Sequence, residues 1–255
     1  VPVIDLFAGP GGLGEGFSAL RRDEKPVFKI GLSIEKDPFA HRTLLLRAFF
    51  RQFLDGQAPN EYYDHLSGQI SQEGLFERFP SEARRAEKEA WHAELGSETF
   101  PPQMVDERIA LARKGEARWV LIGGPPCQAY SIVGRSRRKH DPNFATDEKH
   151  FLYRQYLRIL AIHRPPVFVM ENVKGLLSAT VDGSGILERI LYDLENPVES
   201  LADRAVGQSS AAYHLASLVV PNERLVGRND ARDFVVRAEE YGIPQARHRI
   251  ILLGI

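Results

Sequence analysis

The sequence lacks the features that mark several large classes of protein. Its 255 residues contain one cysteine, which excludes an internal disulfide and fits a reducing compartment. No apolar run approaches the roughly 20 residues that a membrane-spanning helix requires, and no signal peptide is visible. The net charge is only −1, so any surface that binds nucleic acid has to be local. We therefore expect a protein without membrane association.

What the sequence does have is a hydrophobic content of 43%, enough for one substantial core. It also has a regular alternation of segments that predict strands and segments that predict helices. Short apolar segments at 1–7 and 27–35 predict buried strands, and 11–22 and 38–53 have helical spacing. The rhythm resumes with a predicted strand at 118–122. Such a β-α-β-α order is typical of an open parallel sheet in an α/β protein.

Residues from about 55 to 117 interrupt this rhythm. They are polar and charged, and runs such as 82–94 have a helical pattern. We interpret this stretch as a mostly helical insertion with solvated faces.

The first candidate motif is the glycine-rich segment 5–17, DLFAGPGGLGEGF. Glycines after a strand let a ligand approach the backbone, and the following helix offers free N–H groups. Glu35, at the end of the second predicted strand, suits the hydroxyl pair of a ribose. The same pattern occurs in dinucleotide-binding enzymes, and a tight turn without a ligand is the alternative.

The second motif is GGPPCQAYS, in which Cys127 follows the predicted strand at 118–122. Open sheets bind their ligands beyond such strand ends, and prolines stiffen the backbone there. A cysteine in this position can act as a thiolate nucleophile if nearby positive charge lowers its pKa. A lone cysteine is more often a small buried apolar residue, which fits a strand end next to Gly and Pro poorly.

Two further motifs follow a similar logic. Glu171 comes directly after an apolar strand, where a carboxyl group in a partly closed pocket can donate a proton. Arg247 and Arg249 alternate before the last predicted strand, and arginine suits a carbonyl oxygen or a phosphate. A capping or solvated acid and an ordinary charged strand end are the alternatives.

Together these four segments resemble the signature motifs of the cytosine-5 DNA methyltransferases: DLFAGPGG, GGPPCQ-x-(F/Y)-S, ENV and Q-x-R-x-R, in that order. The resemblance implies a Rossmann-like S-adenosylmethionine-dependent methyltransferase fold. Its sheet would be mostly parallel, with helices on both faces and an antiparallel last strand. Residues 1–255 would form one catalytic methyltransferase domain. The target-recognition region and the C-terminal motifs would lie outside this chain.

The resemblance also implies a role for each matching residue. Cys127 would attack carbon 6 of cytosine, Glu171 would contact ring nitrogen 3 and the exocyclic amine, and Arg249 would reach the carbonyl oxygen with Arg247 in support. The cofactor would be S-adenosyl-L-methionine, converted to S-adenosyl-L-homocysteine, and no metal is expected. The residues expected to bind the cofactor are Phe7, Ala8, Gly9, Gly11, Gly12, Glu35, Pro125 and Leu152. Those expected to contact the substrate are Gln128, Ser131, Asn172 and Arg135.

Some positions depart from the family pattern. Lys36 and Asp37 follow Glu35, where the family often has an aromatic residue that stacks on adenine. The acid that follows the third strand in the family has no clear counterpart in this sequence, where Asp106 is the candidate. The adenine pocket is therefore expected to differ.

The resemblance predicts a DNA (cytosine-5-)-methyltransferase that acts on double-stranded DNA by base flipping. We expect a monomer in a bacterial cytoplasm, associated with the nucleoid and part of a restriction–modification system with a cognate endonuclease. One alternative is the RNA-acting offshoot that methylates tRNA, which tends to carry a second cysteine motif that this chain lacks. Others are a catalytically inactive family member and, at the level of the fold, a nicotinamide dehydrogenase.

Overall fold

A computed structural model describes residues 1–53, 57–126, 148–178, 180–181, 184–201, 212–220 and 231–255. The strands are β1 (Pro2–Leu6), β2 (Arg21–Arg22), β3 (Lys25–Pro26), β4 (Lys29–Glu35), β5 (Ala90–His92), β6 (Val120–Gly123), β7 (Val167–Val173), β8 (Thr180–Val181), β9 (Ser184–Gly185), β10 (Leu215–Ala216), β11 (Val235–Arg237) and β12 (His248–Gly254).

The α-helices are α1 (Gly12–Ala19), α2 (Pro38–Phe50), α3 (Asn60–Leu66), α4 (Gln72–Arg78), α5 (Pro80–Glu89), α6 (Pro102–Arg113), α7 (Glu148–His163), α8 (Ile186–Glu195) and α9 (Pro197–Leu201). Short 3-10 helices span Lys174–Ser178, Ala231–Phe234 and Ala238–Tyr241. None of the helices in the described ranges is long and apolar enough to cross a bilayer.

The main sheet has the strand order β10-β12-β7-β6-β1-β4-β5, and β11 also pairs with β12. The five strands from β7 to β5 are mutually parallel. β12 is antiparallel to β7, β10 and β11. Two small antiparallel pairs, β2 with β3 and β8 with β9, lie outside this sheet.

The sheet separates two apolar layers because neighbouring residues of a strand point to opposite faces. On one face, Ile4 and Leu121 pack in a cluster with Ile109 of α6, Tyr156 of α7 and Ile190 of α8. On the other face, buried strand residues including Val3 and Ile122 pack with Leu13 and Phe17 of α1. A sheet buried on both sides in this way needs nearly continuous apolar strands, which is what the sequence has.

The Rossmann-like α/β fold that the sequence predicts is confirmed. The stretch that we interpreted as an insertion contains α3 to α6, and it also contributes β5, which extends the main sheet beside β4. The helical pattern at 82–94 ends earlier than expected, because α5 stops at Glu89 and β5 begins at the next residue.

Candidate active site

The candidate site lies where the order of the strands reverses. From β1 the chain moves outward through β4 and β5, and it then returns to the other side of β1 for β6 and β7. In open α/β sheets such a reversal leaves a crevice at the carboxyl ends of the two central strands, here β1 and β6. The glycine turn follows β1, and the GGPP segment begins at the end of β6.

The glycine turn has the backbone conformation that its sequence requires. Phe7, Gly9 and Gly11 have φ values of 56°, 56° and 88°. Glycine adopts this left-handed region at little cost, whereas Phe7 is strained there, and strain of this kind concentrates at functional sites. Gly11 caps α1 without a side-chain hydrogen bond, so the first N–H groups of the helix have no side-chain cap.

Glu35 fixes the turn to the end of β4. One of its carboxylate oxygens, Oε2, accepts a hydrogen bond of 2.7 Å from the Gly9 N–H, and the other accepts one of 2.7 Å from the Asp37 N–H. Asp37 in turn caps α2, because its side chain accepts hydrogen bonds from the first turn of that helix. A single carboxylate thus joins the glycine turn, β4 and the start of α2.

A cavity of about 200 Å³ opens beside this junction. Among the residues that the sequence predicts for cofactor binding, Phe7, Glu35 and Leu152 line it. Leu152 is a buried residue of α7. The lining combines apolar side chains with one carboxylate, a composition that suits an aromatic base attached to a sugar.

Several walls of the cavity come from residues that the sequence analysis did not assign to cofactor binding. Ala93 and Leu95, just after β5, and Lys36, just after β4, line it. Lys36 Nζ lies 2.7 Å from Glu94 Oε1, an ion pair that spans 58 positions in the chain. Lys36 thus lines the cavity next to Glu35, where the family often has an aromatic residue. The alternation of Trp91, Ala93 and Leu95 within a polar stretch was the available signal for a strand-like wall.

Glu171 and Arg249 meet on adjacent strands. Glu171 pairs in register with Ile251 of β12, so Arg249, two residues earlier on β12, is its diagonal neighbour on the same face. Arg249 Nε lies 2.7 Å from Glu171 Oε1, and both side chains are partly exposed. Glu171 lies within β7 rather than after it, and its neighbour is the guanidinium of Arg249.

The second oxygen of Glu171 faces the end of β6. A Cβ atom added at Gly124 would lie 3.2 Å from Glu171 Oε2, so the carboxyl group packs directly against this glycine. In the sequence, Cys127 follows Gly124 by three residues. Cys127 and the predicted substrate contacts Gln128, Ser131 and Arg135 lie outside the described residues.

Asn172, which the sequence predicts as a substrate contact, is buried at the end of β7. Its side chain is 4% exposed, and its Nδ2 donates a hydrogen bond of 3.2 Å to the Pro125 carbonyl oxygen. Its Oδ1 accepts a bond from the Val173 N–H. Asn172 thus holds the GGPP segment against β7, and its contact with the substrate stays a prediction. Pro125 is likewise buried, and Pro126, rather than Pro125, lines the cavity.

Two other expected residues lie elsewhere. Arg247 is exposed and precedes β12, and in the described part of the chain the ion pair with Glu171 is made by Arg249.

Asp106 belongs to α6, where Arg158 donates two hydrogen bonds of 2.8 and 3.0 Å to it and His163 Nε2 lies at 2.7 Å. Burial alone would raise the pKa of Asp106, but these bonds outweigh it and hold the pKa below its usual value. Asp106 therefore joins α6 to α7 and does not line the cavity.

Asp5 is the one acid of the glycine motif that is fully enclosed. It is 1% exposed, and among the described residues neither carboxyl oxygen has a hydrogen-bond partner. Burial raises its pKa to about 7; the charge of Arg51 offsets part of this rise and that of Glu35 adds to it. A Cβ at Gly14 would lie 3.1 Å from Asp5 Oδ2, so α1 packs directly on the carboxyl group.

Comparisons with known proteins show what this chain is similar to. A family model described as C-5 cytosine-specific DNA methylase matches residues 97–196. The Type II methyltransferase M.Bpa9945I of Bacillus paralicheniformis is 29% identical over 269 residues, which cover 99% of this chain and 53% of the relative. M.AgeI of Thalassovita gelatinovora is 31% identical over 256 residues, covering 98% and 38% respectively. The similarity to the cytosine-5 DNA methyltransferases that the motifs indicate is thereby confirmed.

The chain spans about half the length of M.Bpa9945I and less of M.AgeI. Among solved structures, the Entamoeba histolytica methyltransferase EhMeth matches with a TM-score of 0.51 and 14% identity, over all of this chain and 52% of that one. At this level of identity the match concerns the fold alone.

Proposed function

We propose that this chain, similar to the C-5 cytosine-specific DNA methylases, is the cofactor-binding and catalytic part of a DNA (cytosine-5-)-methyltransferase. It transfers a methyl group from S-adenosylmethionine to carbon 5 of a cytosine in double-stranded DNA. One observation carries the proposal. The Glu171–Arg249 pair packs against Gly124 at the sheet edge where the glycine turn and the Glu35 cavity also lie.

The residues of the cavity fit S-adenosylmethionine. Glu35 offers a carboxylate to the two hydroxyl groups of the ribose, and Phe7 and Leu152 offer apolar contact to the adenosine part. The N-terminus of α1, which begins after Gly11 without a side-chain cap, suits the carboxylate of the methionine part. When bound, S-adenosylmethionine supplies an electrophilic methyl group.

Carbon 5 of cytosine is a poor nucleophile, and covalent catalysis removes this obstacle. The thiolate of Cys127 adds to carbon 6, and a proton is held at ring nitrogen 3, so carbon 5 gains the electron density of an enamine. Once carbon 5 carries the methyl group, with the neutral thioether S-adenosylhomocysteine as the leaving group, water takes the proton from carbon 5 and the thiolate is expelled as the double bond forms again. Glu171 takes back the proton from nitrogen 3. The aromatic ring and the free cysteine are thus both recovered.

Glu171 is proposed to hold the proton at nitrogen 3, and Arg249 keeps its carboxyl group oriented while reaching the carbonyl oxygen of the base. General acid–base assistance of this kind contributes about 10²–10⁴-fold. The base has to leave the helix to reach both groups, which costs a few kcal/mol of unstacking. Gln128, Ser131, Asn172 and Arg135 are proposed to contact the flipped nucleotide or its phosphates, and Arg247 to support Arg249.

The proposal is tested by trapping the reaction in the protein of which this chain is part. A duplex with 5-fluorocytosine at the target position blocks the loss of the substituent at carbon 5, so a covalent adduct should accumulate, and peptide mapping should locate it on Cys127. The Cys127→Ser protein should form no adduct and transfer no methyl group. An active Cys127→Ser protein would refute the mechanism.

The same experiment separates the alternatives. An adduct with 5-fluorocytosine in tRNA but not in DNA would favour an RNA methyltransferase, and no adduct with either would favour an inactive family member. Calorimetry should show binding of S-adenosylhomocysteine and none of NAD, whereas the reverse would favour a dehydrogenase. Bisulfite sequencing of DNA from cells that express the protein would give the recognition sequence of a restriction–modification system.

A further inference from the structure

A groove lined by cationic side chains lies at the edge of the sheet that is remote from the candidate active site. This basic groove consists of two adjoining cavities of about 630 and 380 Å³, which share Pro2, Lys29 and Lys114. Pro2 begins β1 and Lys29 begins β4, so the groove lies at the amino ends of these strands. Glu35 ends β4, which places the groove roughly 20 Å from the cofactor cavity, given a rise of about 3.3 Å per strand residue.

The floor of the basic groove is closely packed. Ile30 and Leu32, which line it, are 3% and 1% exposed. A Cβ atom added at Gly31 would lie 3.0 Å from the carbonyl oxygen of Ala112, so α6 packs directly on β4 there. A ligand of the groove therefore meets the side chains of its walls rather than the backbone of β4.

The walls of the basic groove carry an excess of positive charge. The cationic side chains that line the two cavities are those of Lys29, Arg85, Lys88, Arg108, Arg113, Lys114 and Arg118. The acidic side chains in the lining are those of Glu89 and Glu116. Glu89 is already paired, since its Oε1 lies 2.5 Å from Arg51 Nη2. The whole chain has a net charge of −1, so this excess is a local property of the groove.

Four of these cations can engage a ligand without breaking an ion pair. Within the described residues, no ion pair engages the exposed side chains of Lys29, Lys88, Lys114 and Arg118. Arg85 differs from them, because it lies 2.6 Å from Glu82 on the same helix. Positive charge is thus spread along both cavities.

This distribution suits a ligand with regularly repeated negative charges. A small anion is held where several donors converge on one point, whereas these cations come from α5, α6 and the starts of β4 and β6. The phosphate backbone of a nucleic acid carries one charge at every nucleotide, and a positively charged groove can follow it. Lysine and arginine bind phosphates without reading the sequence of the bases.

We propose that the basic groove binds the phosphate backbone of a second DNA segment, separate from the duplex whose cytosine enters the candidate active site. The choice of DNA rests on the proposed function. A straight duplex that lies along the carboxyl ends of the strands does not reach their amino ends, so two segments are needed to occupy both sites. The second contact keeps the protein on DNA while the active site releases a methylated duplex, because it raises the local concentration of further DNA.

The test counts the DNA duplexes bound by the protein of which this chain is part. At low ionic strength, native mass spectrometry with a duplex of about ten base pairs, one helical turn, should show two duplexes per wild-type chain. The Lys88→Glu/Lys114→Glu variant should bind one, because the reversed charges repel phosphates. Both lysines are exposed, so the variant should fold, which circular dichroism checks. Arg189→Glu, the same change of charge on the exposed face of α8, is the matched control and should bind two.

A salt titration of the single variants separates phosphate contacts from other kinds of binding. Anisotropy measures the affinity for a random-sequence duplex at several salt concentrations. Each lost lysine contact, in Lys88→Glu or in Lys114→Glu, should reduce the slope of log affinity against log salt concentration by about 0.9. Leu111→Ser removes an apolar side chain that is 76% exposed at the groove and should leave the affinity and the slope unchanged.

Failure of this inference is distinct from failure of the proposed function. One duplex on the wild type, or two on the double variant, would overturn the second site even when the 5-fluorocytosine adduct forms on Cys127. Absence of the adduct, with a second duplex that depends on Lys88 and Lys114, would remove the methyl transfer alone. An equal loss of affinity in Leu111→Ser, or a glutamate-rich peptide that displaces the second duplex more effectively than DNA does, would overturn the proposal in favour of a protein partner.

Discussion

Replacing Asp5 with asparagine is expected to stabilise the folded chain at neutral and alkaline pH while changing little at acid pH. The carboxyl group is enclosed by packed residues, with no hydrogen-bond partner among the described ones. Burial therefore favours its neutral form and raises the pKa from 3.8 to about 7. The charge of Arg51 limits this rise, and that of Glu35 enhances it. Asparagine has nearly the same shape and carries no charge at any pH.

The size of the expected stabilisation follows from the difference between the pKa values of Asp5 in the folded and the unfolded chain. About three pK units at 1.36 kcal/mol each correspond to roughly 4 kcal/mol. The folded chain keeps the proton on Asp5 up to about pH 7, whereas the unfolded chain begins to lose it near pH 4. Between about pH 4 and pH 7 the folded state binds more protons than the unfolded state, so the free energy of unfolding falls as the pH rises. The whole of this loss of stability is reached above about pH 7.

The assay is urea unfolding of wild-type and Asp5→Asn chains at matched pH values between about 4 and 8. The difference in the free energy of unfolding should grow in favour of the variant by up to about 4 kcal/mol across this range. Asp23→Asn is the control, because Asp23 is exposed and the difference for that variant should stay flat. A flat difference for Asp5→Asn would refute the reasoning, since it would mean that the buried carboxyl group ionises as in water.

Other substitutions test the remaining parts of the site. Glu171→Gln should lower methyl transfer about 10²–10⁴-fold in a radiolabel assay and leave S-adenosylhomocysteine affinity unchanged; loss of both would indicate a structural role. Glu35→Gln should weaken S-adenosylhomocysteine binding about tenfold by calorimetry, and unchanged affinity would exclude Glu35 from the cofactor site. Gly123→Ala drives a Cβ atom into the Leu6 carbonyl oxygen and should lower the free energy of unfolding by about 1–3 kcal/mol in chemical denaturation. Gly175→Ala, with no atom within 4 Å of its Cβ, should cost less.

The edge of the sheet that carries the site could be predicted from the sequence because topology determines it. Glycines after β1, Glu35 at the end of β4 and the GGPP segment after β6 all follow short apolar runs, and parallel strands bring their carboxyl ends to one edge. The order of the strands alone does not predict that Glu171 and Arg249 lie close together. Their proximity depends on the antiparallel register of β12 against β7, which the motifs alone do not encode.

The walls of the cofactor cavity could not be predicted in the same way. Ala93 and Leu95 reach it because β5 joins the sheet next to β4, and β5 is only three residues long within a stretch dominated by charged helices. So short a strand carries little periodic signal beyond the alternation of Trp91, Ala93 and Leu95. Lys36 and Glu94, which form an ion pair, are 58 positions apart in the sequence, so no local sequence pattern predicts their contact.

The neighbours Glu171 and Asn172 show how the period of a strand separates two functions within one motif. β7 continues through both residues, so their side chains point to opposite faces of the sheet. Glu171 thereby faces Arg249 and the partly open edge, and Asn172 faces the interior, where it holds the Pro125 carbonyl. Because β7 includes both residues, the Glu171 carboxyl group stays accessible at the sheet edge, where the proposed reaction takes place. The Asn172 amide holds in place the segment that leads to Cys127.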